Sequence, residues 1–273
     1  MSIDLKGTLV LAGCGKMGGA MLEGWLKGGA DPKRIVAIDP APPLEVMAVL
    51  TKYNIRHNPP IGSISDAEAV VIAVKPQVME DVLPNLVPLK SSKPLILSVA
   101  AGKTIATFAK HFGSDAAIIR TIPNTPAAIG RGITAMSPNP HVSKAQMRLA
   151  NALLLSTGEV VTVENESMID LVTAVSGSGP AYIFYLTECL ANAGEKIGLP
   201  PALAMQLARA TVAGSGELMR QTGIDAATLR QNVTSPKGTT YAALQVLMAD
   251  DGMEPLFEKA IKAAADRSKE LAS

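Results

Sequence analysis

The sequence contains few aromatic side chains. Four Phe, four Tyr and one Trp occur among 273 residues, too few for the stacking platforms on which proteins bind single-stranded nucleic acid. The charges also balance, with 25 Lys plus Arg against 24 Asp plus Glu, so the chain lacks the basic excess that attracts phosphate backbones or anionic lipid. We therefore expect neither nucleic acid nor a membrane surface as a partner.

Cysteine and histidine are scarce as well. Cys14 and Cys189 lie far apart and belong to no C-x-x-C group, which argues against a disulfide framework and against a zinc site. His57, His111 and His141 share no motif, and no Ser/His/Asp pattern is present. The sequence thus predicts no metal site, and its free cysteines fit a reducing cytoplasm.

Long apolar runs are missing. The short apolar run near the start follows Asp4 and is soon interrupted by a glycine turn and Lys16, which is unlike a signal peptide. No stretch approaches the roughly 18 consecutive apolar residues of a membrane helix. With 48% hydrophobic and 18% charged residues, we expect a folded cytoplasmic protein, and its length predicts two domains at about 150 residues each.

The first part of the chain alternates short β-branched runs with helical patterns. Runs that are apolar throughout indicate strands buried on both faces and joined by crossover helices in a parallel sheet. The predicted strands are residues 8–12, 34–38, 70–74, 95–99, 117–121, 132–137 and 160–163. The pattern predicts a doubly wound α/β domain over residues 1–164.

The second part, residues 165–273, is rich in Ala, Leu and Met at helical spacing, and we predict an all-α domain. Gly214 and Gly216 lie inside a predicted helix, residues 201–220, where each costs about 1 kcal/mol relative to Ala. Either the helix kinks there, or the missing side chains let another helix approach, for instance one from a second subunit. An Ala-rich domain with few aromatics to fill its centre fits a dimerisation unit.

A glycine-rich loop follows the first predicted strand. Gly13, Gly15 and Gly18 form G-x-G-x-x-G directly before a predicted helix, and Asp39 ends the next strand. In such loops the first glycine permits the tight turn, the second lets a pyrophosphate approach the backbone, and the third allows close packing of helix and strand. The spacing predicts dinucleotide binding; a glycine-rich turn without a ligand is the alternative.

Asp39 bears on the choice of cofactor. A carboxylate at this place accepts hydrogen bonds from an adenosine ribose and repels a 2′-phosphate. The next four residues are Pro-Ala-Pro-Pro, so no cation follows it, and this favours NADH. Lys33, Arg34 or Arg56, if folded over the site, would instead favour NADPH.

Three segments of the first part end predicted strands, at the edge where doubly wound sheets bind ligands. They are residues 74–77 (Val-Lys-Pro-Gln), 98–102 (Ser-Val-Ala-Ala-Gly) and 120–126 (Arg-Thr-Ile-Pro-Asn-Thr-Pro). The alternative for Lys75 is a solvated loop lysine, and the alternative for the last segment is a rigid turn.

Two segments of the second part precede predicted helices. One is residues 176–182 (Ser-Gly-Ser-Gly-Pro-Ala-Tyr), and the other is residues 234–240 (Thr-Ser-Pro-Lys-Gly-Thr-Thr), before a helix at residues 241–248. Free N–H groups of Gly238, Thr239 and Thr240 would form an anion site suited to a carboxylate. Plain helix capping by Thr is the alternative.

These six segments, in this order, resemble the pyrroline-5-carboxylate reductases over essentially the whole chain. The resemblance implies a Rossmann domain followed by an all-α dimerisation domain that interlocks with a second subunit, and dimers of this family can assemble into rings of five, which are decamers. It further implies reduction of 1-pyrroline-5-carboxylate to L-proline, the last step of proline biosynthesis, by NADPH or NADH.

The resemblance also implies roles for individual residues. The substrate-facing positions are Glu166, Ser235, Gly238, Thr239 and Thr240. The cofactor-binding positions that it implies are Ala12, Gly13, Cys14, Gly15, Lys16, Met17, Asn58, Val74, Lys75, Ala101 and Asn232, with Asn58 spaced differently from the family pattern. Gly18 and Asp39 join them from the glycine-loop motif and the end of the second predicted strand. We expect the nicotinamide near Ala101, and the hydroxyl of Thr240, the predicted catalytic residue, on the ring nitrogen of the substrate.

Two features depart from the family pattern. Lys237 replaces a glycine, and it would be strained if this position requires a positive φ. Asp39 with Pro40 and Ala41 is unlike the sequence of an enzyme with the usual NADPH preference.

Two rival functions remain at this stage. A Rossmann β-hydroxyacid-type dehydrogenase places a catalytic Lys on the helix after a glycine-rich segment, but residues 179–190 contain no Lys. The second rival is a nonenzymatic dinucleotide-sensing module whose helical half binds another protein; the intact substrate loop argues against it.

Overall fold

The structure is a computed structural model and describes residues 3–272. Its strands are β1 (Thr8–Ala12), β2 (Ile35–Ile38), β3 (Arg56–His57), β4 (Ala67–Ile72), β5 (Leu95–Ser98), β6 (Ile118–Ile122), β7 (Gly132–Pro138) and β8 (Gly158–Thr162). Its α-helices are α1 (Lys16–Lys27), α2 (Leu44–Lys52), α3 (Met79–Leu86), α4 (Ile105–Phe112), α5 (Lys144–Leu155), α6 (Met168–Val172), α7 (Gly179–Lys196), α8 (Pro201–Thr222), α9 (Ala226–Asn232), α10 (Thr239–Leu247) and α11 (Met253–Ala272).

The strands form one sheet in the order β3-β2-β1-β4-β5-β6-β7-β8. The chain starts near the middle and winds outward in both directions, which confirms the predicted doubly wound domain. All neighbouring strands are parallel except β6 and β7, which pair antiparallel. The expectation of a wholly parallel sheet was therefore wrong for β7 and for β8, which is parallel to β7 and so runs opposite to the other six strands. The two-residue β3 is too short for a periodic pattern to reveal it.

The strand predicted at residues 70–74 is shifted. β4 pairs with β1 from Ala67 onward, and its pairing with β5 ends at Ile72. Val74 and Lys75 therefore lie in the loop beyond the strand. The other predicted strands agree with the structure to within one or two residues at each end.

The sheet is buried on both faces, as its apolar strands predict. Leu9 and Leu11 of β1 belong to one apolar cluster with Trp25 of α1. Val10, between them in sequence, belongs to a second cluster with Phe108 of α4. Because successive side chains of a strand point to opposite faces, this division places helices on both sides of the sheet.

The chain forms two compact units. One contains the residues up to Gly177 together with those from Ala265 on, and the other is Ser178–Ala264. The second unit is entirely helical, as predicted. The first unit includes α6 and a π-helical turn at Thr173–Gly177, so the backbone contacts divide the chain later than the predicted boundary at residues 164/165.

The second unit buries few side chains of its own. Its buried hydrophobic residues are Ala191, Ala204 and Ala208, whereas Phe184 is 62% and Ile197 is 84% exposed. Apolar exposure on this scale marks an interaction surface. The described part of the chain contains no helix long and apolar enough to cross a membrane.

Helix α8 passes through both of its interior glycines without a break. A Cβ added at Gly214 or Gly216 would meet nothing within 4 Å. The break that the sequence left open is thus absent, and this side of the helix is open in the single chain.

Candidate active site

The glycine loop connects β1 to α1. Gly13 has a φ of +94°, and a Cβ there would lie 2.7 Å from the backbone of Ala73 and Val74. A Cβ at Gly18 would overlap the carbonyl oxygen of Gly13. Both glycines are therefore required by the protein's own packing, in the roles that the motif predicts for its first and third positions.

The middle glycine is different. A Cβ at Gly15 would meet nothing within 4 Å, and its φ of −68° suits any residue. Helix α1 begins at Lys16, so the first-turn amides of Lys16, Met17 and Gly18 have no acceptor within the helix. Open space beside amides at the positive end of a helix fits a pyrophosphate, so these residues fit a dinucleotide.

Asp39, just beyond β2, is fixed beside this loop. Its Oδ2 accepts the N–H of Cys14 at 2.6 Å, and its Oδ1 accepts the N–H of Ala41 at 2.8 Å. A carboxylate has about four acceptor sites, so acceptor capacity remains for a ribose hydroxyl. The structure brings Asp39 and the glycine loop together as predicted.

Asn58 holds the backbone of Asp39. Its Oδ1 accepts the N–H of Asp39 at 2.9 Å, and its Nδ2 donates to the carbonyl of Asp39 at 2.8 Å. It occupies the left-handed region, with a φ of 48°, directly after β3. Its predicted contact with the adenosine ribose stays a prediction.

Two cations considered as partners of a 2′-phosphate are directed elsewhere. Arg34 Nη1 donates to the carbonyl of Lys6 at 2.6 Å, and Arg56 Nη2 lies 3.4 Å from Thr8 Oγ1. Lys6 and Thr8 lie at the start of β1, whereas Asp39 follows the carboxyl end of β2. Lys33 lies in the turn Pro32–Arg34 that precedes β2, at the same amino end of the sheet.

Cys14 is a buried neutral thiol. Burial raises its pKa from 9.0 to about 12, and the nearby carboxylate of Asp39 adds to the increase. Its side chain is fully buried, and its backbone N–H donates to Asp39. Ala12 is likewise buried, and its carbonyl accepts the N–H of Ala73 at 2.7 Å.

The loops after β4 and β5 lie at the same edge of the sheet. Lys75 is exposed and precedes a short 3₁₀ turn. Ala101 is also exposed, and Gly102 has a φ of +69°. A Cβ at Gly102 would lie 3.0 Å from the carbonyl oxygen of Leu271, so the end of α11 packs closely against this loop.

Glu166 belongs to a buried ionic cluster. Its Oε1 accepts the N–H of Ile105, the first residue of α4, at 2.7 Å and lies 3.2 Å from Arg120 Nη1. Arg120, only 2% exposed, also pairs with Asp170 at 3.0 Å. Ser268 Oγ donates to the same oxygen of Asp170 at 2.9 Å.

Sequence reasoning found only part of this cluster. Arg120 belongs to the segment of residues 120–126 that the sequence analysis singled out. Asp170 and Ser268 were missed, because Asp170 lies 50 positions from Arg120 and Ser268 lies 98 positions from Asp170, so no local pattern connects them. In the same noted segment, Asn124 Oδ1 accepts the N–H of Ile133 at 2.9 Å, which fits the rigid-turn interpretation.

The loop before α10 is a tight turn. The carbonyl of Ser235 accepts the N–H of Gly238 at 3.0 Å, with Pro236 and Lys237 between them. Lys237 has a φ of 61°, so the residue that replaces glycine does occupy the left-handed region. A Cβ on Gly238 would overlap Ser235 Oγ.

This turn corrects one expectation. The N–H of Gly238 is not free, because Ser235 accepts it. Helix α10 begins at Thr239, two residues earlier than predicted, and its first-turn amides at Thr239 and Thr240 have no acceptor within the helix. Asn232 ends α9 in the same unit, and its contact with the cofactor stays a prediction.

Comparison with known proteins covers both halves of the chain. Residues 166–271 match the family described as pyrroline-5-carboxylate reductase dimerisation. Residues 8–102 match the family described as NADP oxidoreductase, coenzyme F420-dependent. The first match begins close to the predicted domain boundary, which stays a prediction.

Relatives match nearly the full length. The pyrroline-5-carboxylate reductase of Pseudomonas aeruginosa is 36% identical over 97% of this chain and 96% of its own. The structure of the Coxiella burnetii enzyme of that name has a TM-score of 0.90 at 34% identity, covering 98% of this chain and 100% of its own. The Plasmodium falciparum enzyme, solved with NADP bound, has a TM-score of 0.82 at 27% identity, covering 98% and 99%. The chain therefore belongs to the pyrroline-5-carboxylate reductase family.

Proposed function

We propose that this protein reduces the C=N bond of 1-pyrroline-5-carboxylate to give L-proline, with NADPH or NADH as hydride donor. The observation that carries the proposal is the open space at Gly15, the residue directly before the first turn of α1, in the loop that Asp39 holds through the N–H of Cys14. No packing demand of the protein explains a glycine there, whereas a bound dinucleotide does.

The chain holds the cofactor through backbone and carboxylate groups. The amides of Lys16, Met17 and Gly18 bind the pyrophosphate at the positive end of α1. Asp39 accepts from the adenosine ribose, and Asn58 keeps Asp39 in place through its backbone. Val74 and Lys75 line the adenosine side, Ala101 lies by the nicotinamide, and Asn232 is a further cofactor contact. When bound, the dinucleotide supplies the hydride.

The chain holds the substrate through the loop before α10. The amides of Thr239 and Thr240 donate to its carboxylate, with the dipole of α10 adding to the attraction. Gly238 and Ser235 support the substrate site indirectly. The N–H of Gly238 donates to the carbonyl of Ser235, and this bond shapes the turn that orients the amides of Thr239 and Thr240. The Oε2 of Glu166 remains available on the substrate side, while Oε1 is held by Ile105 and Arg120.

Thr240 is the proposed catalytic contact. Its hydroxyl bonds to the ring nitrogen and fixes the face of the imine that receives the hydride. No strong general acid is required, since the imine arrives from solution already protonated and is then the better electrophile. Orientation supplies most of the rate, within the roughly 7–11 kcal/mol that such effects reach.

The proposal extends to assembly. The chain matches a dimerisation family over residues 166–271, and the open apolar surface of its helical unit supports a homodimer at least; rings of five dimers are the further proposal. We place the domain boundary at residues 164/165 and the enzyme in the cytoplasm, which its two free cysteines fit.

The test is direct. The purified protein is incubated with 1-pyrroline-5-carboxylate and either NADH or NADPH, and cofactor oxidation and proline are both measured. We expect one proline for each cofactor oxidised. Oxidation of β-hydroxy acids without imine reduction would indicate the dehydrogenase, and tight cofactor binding without turnover would indicate the sensor.

A further inference from the structure

The loop of residues 101–104 is held from two directions. On one side, Glu166 Oε1 accepts the N–H of Ile105, at the start of the helix into which the loop runs. On the other side, Leu271 packs its carbonyl oxygen and Cβ within 3.1 Å of where a Gly102 Cβ would lie. The loop is thus restrained at its end by a hydrogen bond and at Gly102 by close packing.

Both contacts are connected to Arg120 through ion pairs and hydrogen bonds. Its guanidinium pairs with Glu166 through Nη1 and with Asp170 through Nη2. Asp170 in turn accepts the hydroxyl of Ser268. Ser268 and Leu271 are three residues apart on α11, so they lie on one side of that helix, and the bond at Ser268 fixes where Leu271 meets the loop.

We propose that Asp170 and Ser268 are positioning residues for hydride transfer, because they hold α11 against the loop of Ala101 and Gly102. The inference rests on the proposed function, in which Ala101 lies by the nicotinamide. The effect passes through Leu271 to Gly102 and so acts on the reactive end of the cofactor rather than on the pyrophosphate cradle.

The experiment compares Ser268→Ala, which removes one hydroxyl in a nearly unchanged shape, with Ser268→Thr, which retains it. Ser65→Ala, at an exposed serine, is the matched control. Each variant is assayed for kcat, for KM of both substrates, for thermal midpoint, and for the kinetic isotope effect with cofactor deuterated at the transferred position.

We expect Ser268→Ala to lower kcat about three- to tenfold. This rate change corresponds to part of the free energy of one hydrogen bond to a charged group. Its isotope effect should rise, because a misplaced nicotinamide makes hydride transfer more rate-limiting, while KM for the pyrroline changes little. Ser268→Thr should restore most of both values, and Ser65→Ala should match the wild type.

A purely structural cluster gives another result. The thermal midpoint then falls in Ser268→Ala, but kcat per folded enzyme and the isotope effect equal those of the wild type, which overturns the proposal. Wild-type protein without imine reduction would instead refute the proposed function itself, so the two failures are distinguishable.

Discussion

The carboxylate of Asp39 accepts the backbone N–H of Cys14 at 2.6 Å. The bond joins the end of β2 to the glycine loop after β1, so a negative charge is fixed at the rim of the cofactor cradle. Its second oxygen is held by the N–H of Ala41, and the carboxylate therefore cannot swing away when a ligand arrives.

This charge should set the cofactor preference. Arg34 and Arg56 are directed to the other end of the sheet, so we expect kcat/KM with NADH to exceed that with NADPH. Asp39→Asn removes the charge and keeps one of the two oxygens that accept the N–H groups of Cys14 and Ala41. It should shift the ratio toward NADPH by about tenfold, equivalent to about 1.4 kcal/mol.

The measurement is competition of the two cofactors at limiting concentration. Asp81→Asn, which neutralises an exposed carboxylate on α3, should leave the ratio unchanged. A wild-type enzyme that prefers NADPH, or an Asp39→Asn enzyme with an unaltered ratio, would show that Asp39 does not select the cofactor.

Thr240→Ala should impair catalysis without unfolding the protein. The lost hydrogen bond to a charged substrate is worth about 1.5–3 kcal/mol, and kcat/KM should fall about 10- to 150-fold. Thr240→Ser keeps the hydroxyl and should retain most of the activity. Steady-state kinetics on both variants decide the matter, and equal losses in the two would point to the methyl group instead.

Lys237 offers a test of backbone strain. A residue with a side chain is destabilised by about 1–2 kcal/mol in the left-handed region. Glycine avoids this strain, but it gives the unfolded chain more conformational entropy, which disfavours folding by about 0.4–1 kcal/mol. Lys237→Gly should therefore stabilise the protein by up to about 1 kcal/mol. Lys237→Val should destabilise it, because a β-branched residue fits this region poorly. Urea unfolding measures both, and a less stable Gly variant would contradict the argument.

The Cys14 thiol should be inert. With its pKa raised from 9.0 to about 12 by burial and by Asp39, it carries no thiolate at mildly alkaline pH. In the Cys189→Ser variant, Cys14 is the remaining thiol. The folded variant should not react rapidly with a thiol reagent, and the denatured variant should react at one thiol per chain. Fast labelling of the native variant would disprove this.

The raised pKa also has a consequence for stability. Because the folded value lies above the unfolded one, the contribution of Cys14 is fully present below pH 9.0 and is lost as the pH rises toward 12. The wild type should therefore lose stability relative to Cys14→Ala over that range, as urea unfolding at several pH values would show.

The sequence predicted most of the sheet because its strands are continuous apolar runs. The direction of β7 was missed, although its signal was present: residues 123–131 are too few for a parallel crossover, which needs a dozen or more. β3 was missed because a strand of two residues is too short to show an alternation of apolar and polar side chains.

The candidate site, like the sheet, contains features that local sequence patterns predicted and features that they did not. Local motifs were sufficient to predict the glycine turn and the position of Asp39 beside it, since both depend on backbone close in the sequence; their roles in binding stay predictions. The N–H of Gly238 was wrongly taken as free because the turn that Pro236 initiates was not followed through. The pairing of Asp170 with Arg120 and with Ser268 depends on tertiary packing, and residues this far apart in the sequence form no local motif that would predict it.

Gly15 and Gly18 should separate binding from folding. A Cβ at Gly18 would overlap the carbonyl oxygen of Gly13, so Gly18→Ala should lower the free energy of unfolding by about 1–3 kcal/mol, as overpacking does. A Cβ at Gly15 meets only open space, so Gly15→Ala should fold with unchanged stability. It should still raise KM for the cofactor, because the new methyl occupies the place of the pyrophosphate. Urea unfolding and cofactor titration of both variants are the measurements. If Gly15→Ala bound the cofactor normally, the space at Gly15 would not be the cradle, and the pyrophosphate would have to lie elsewhere.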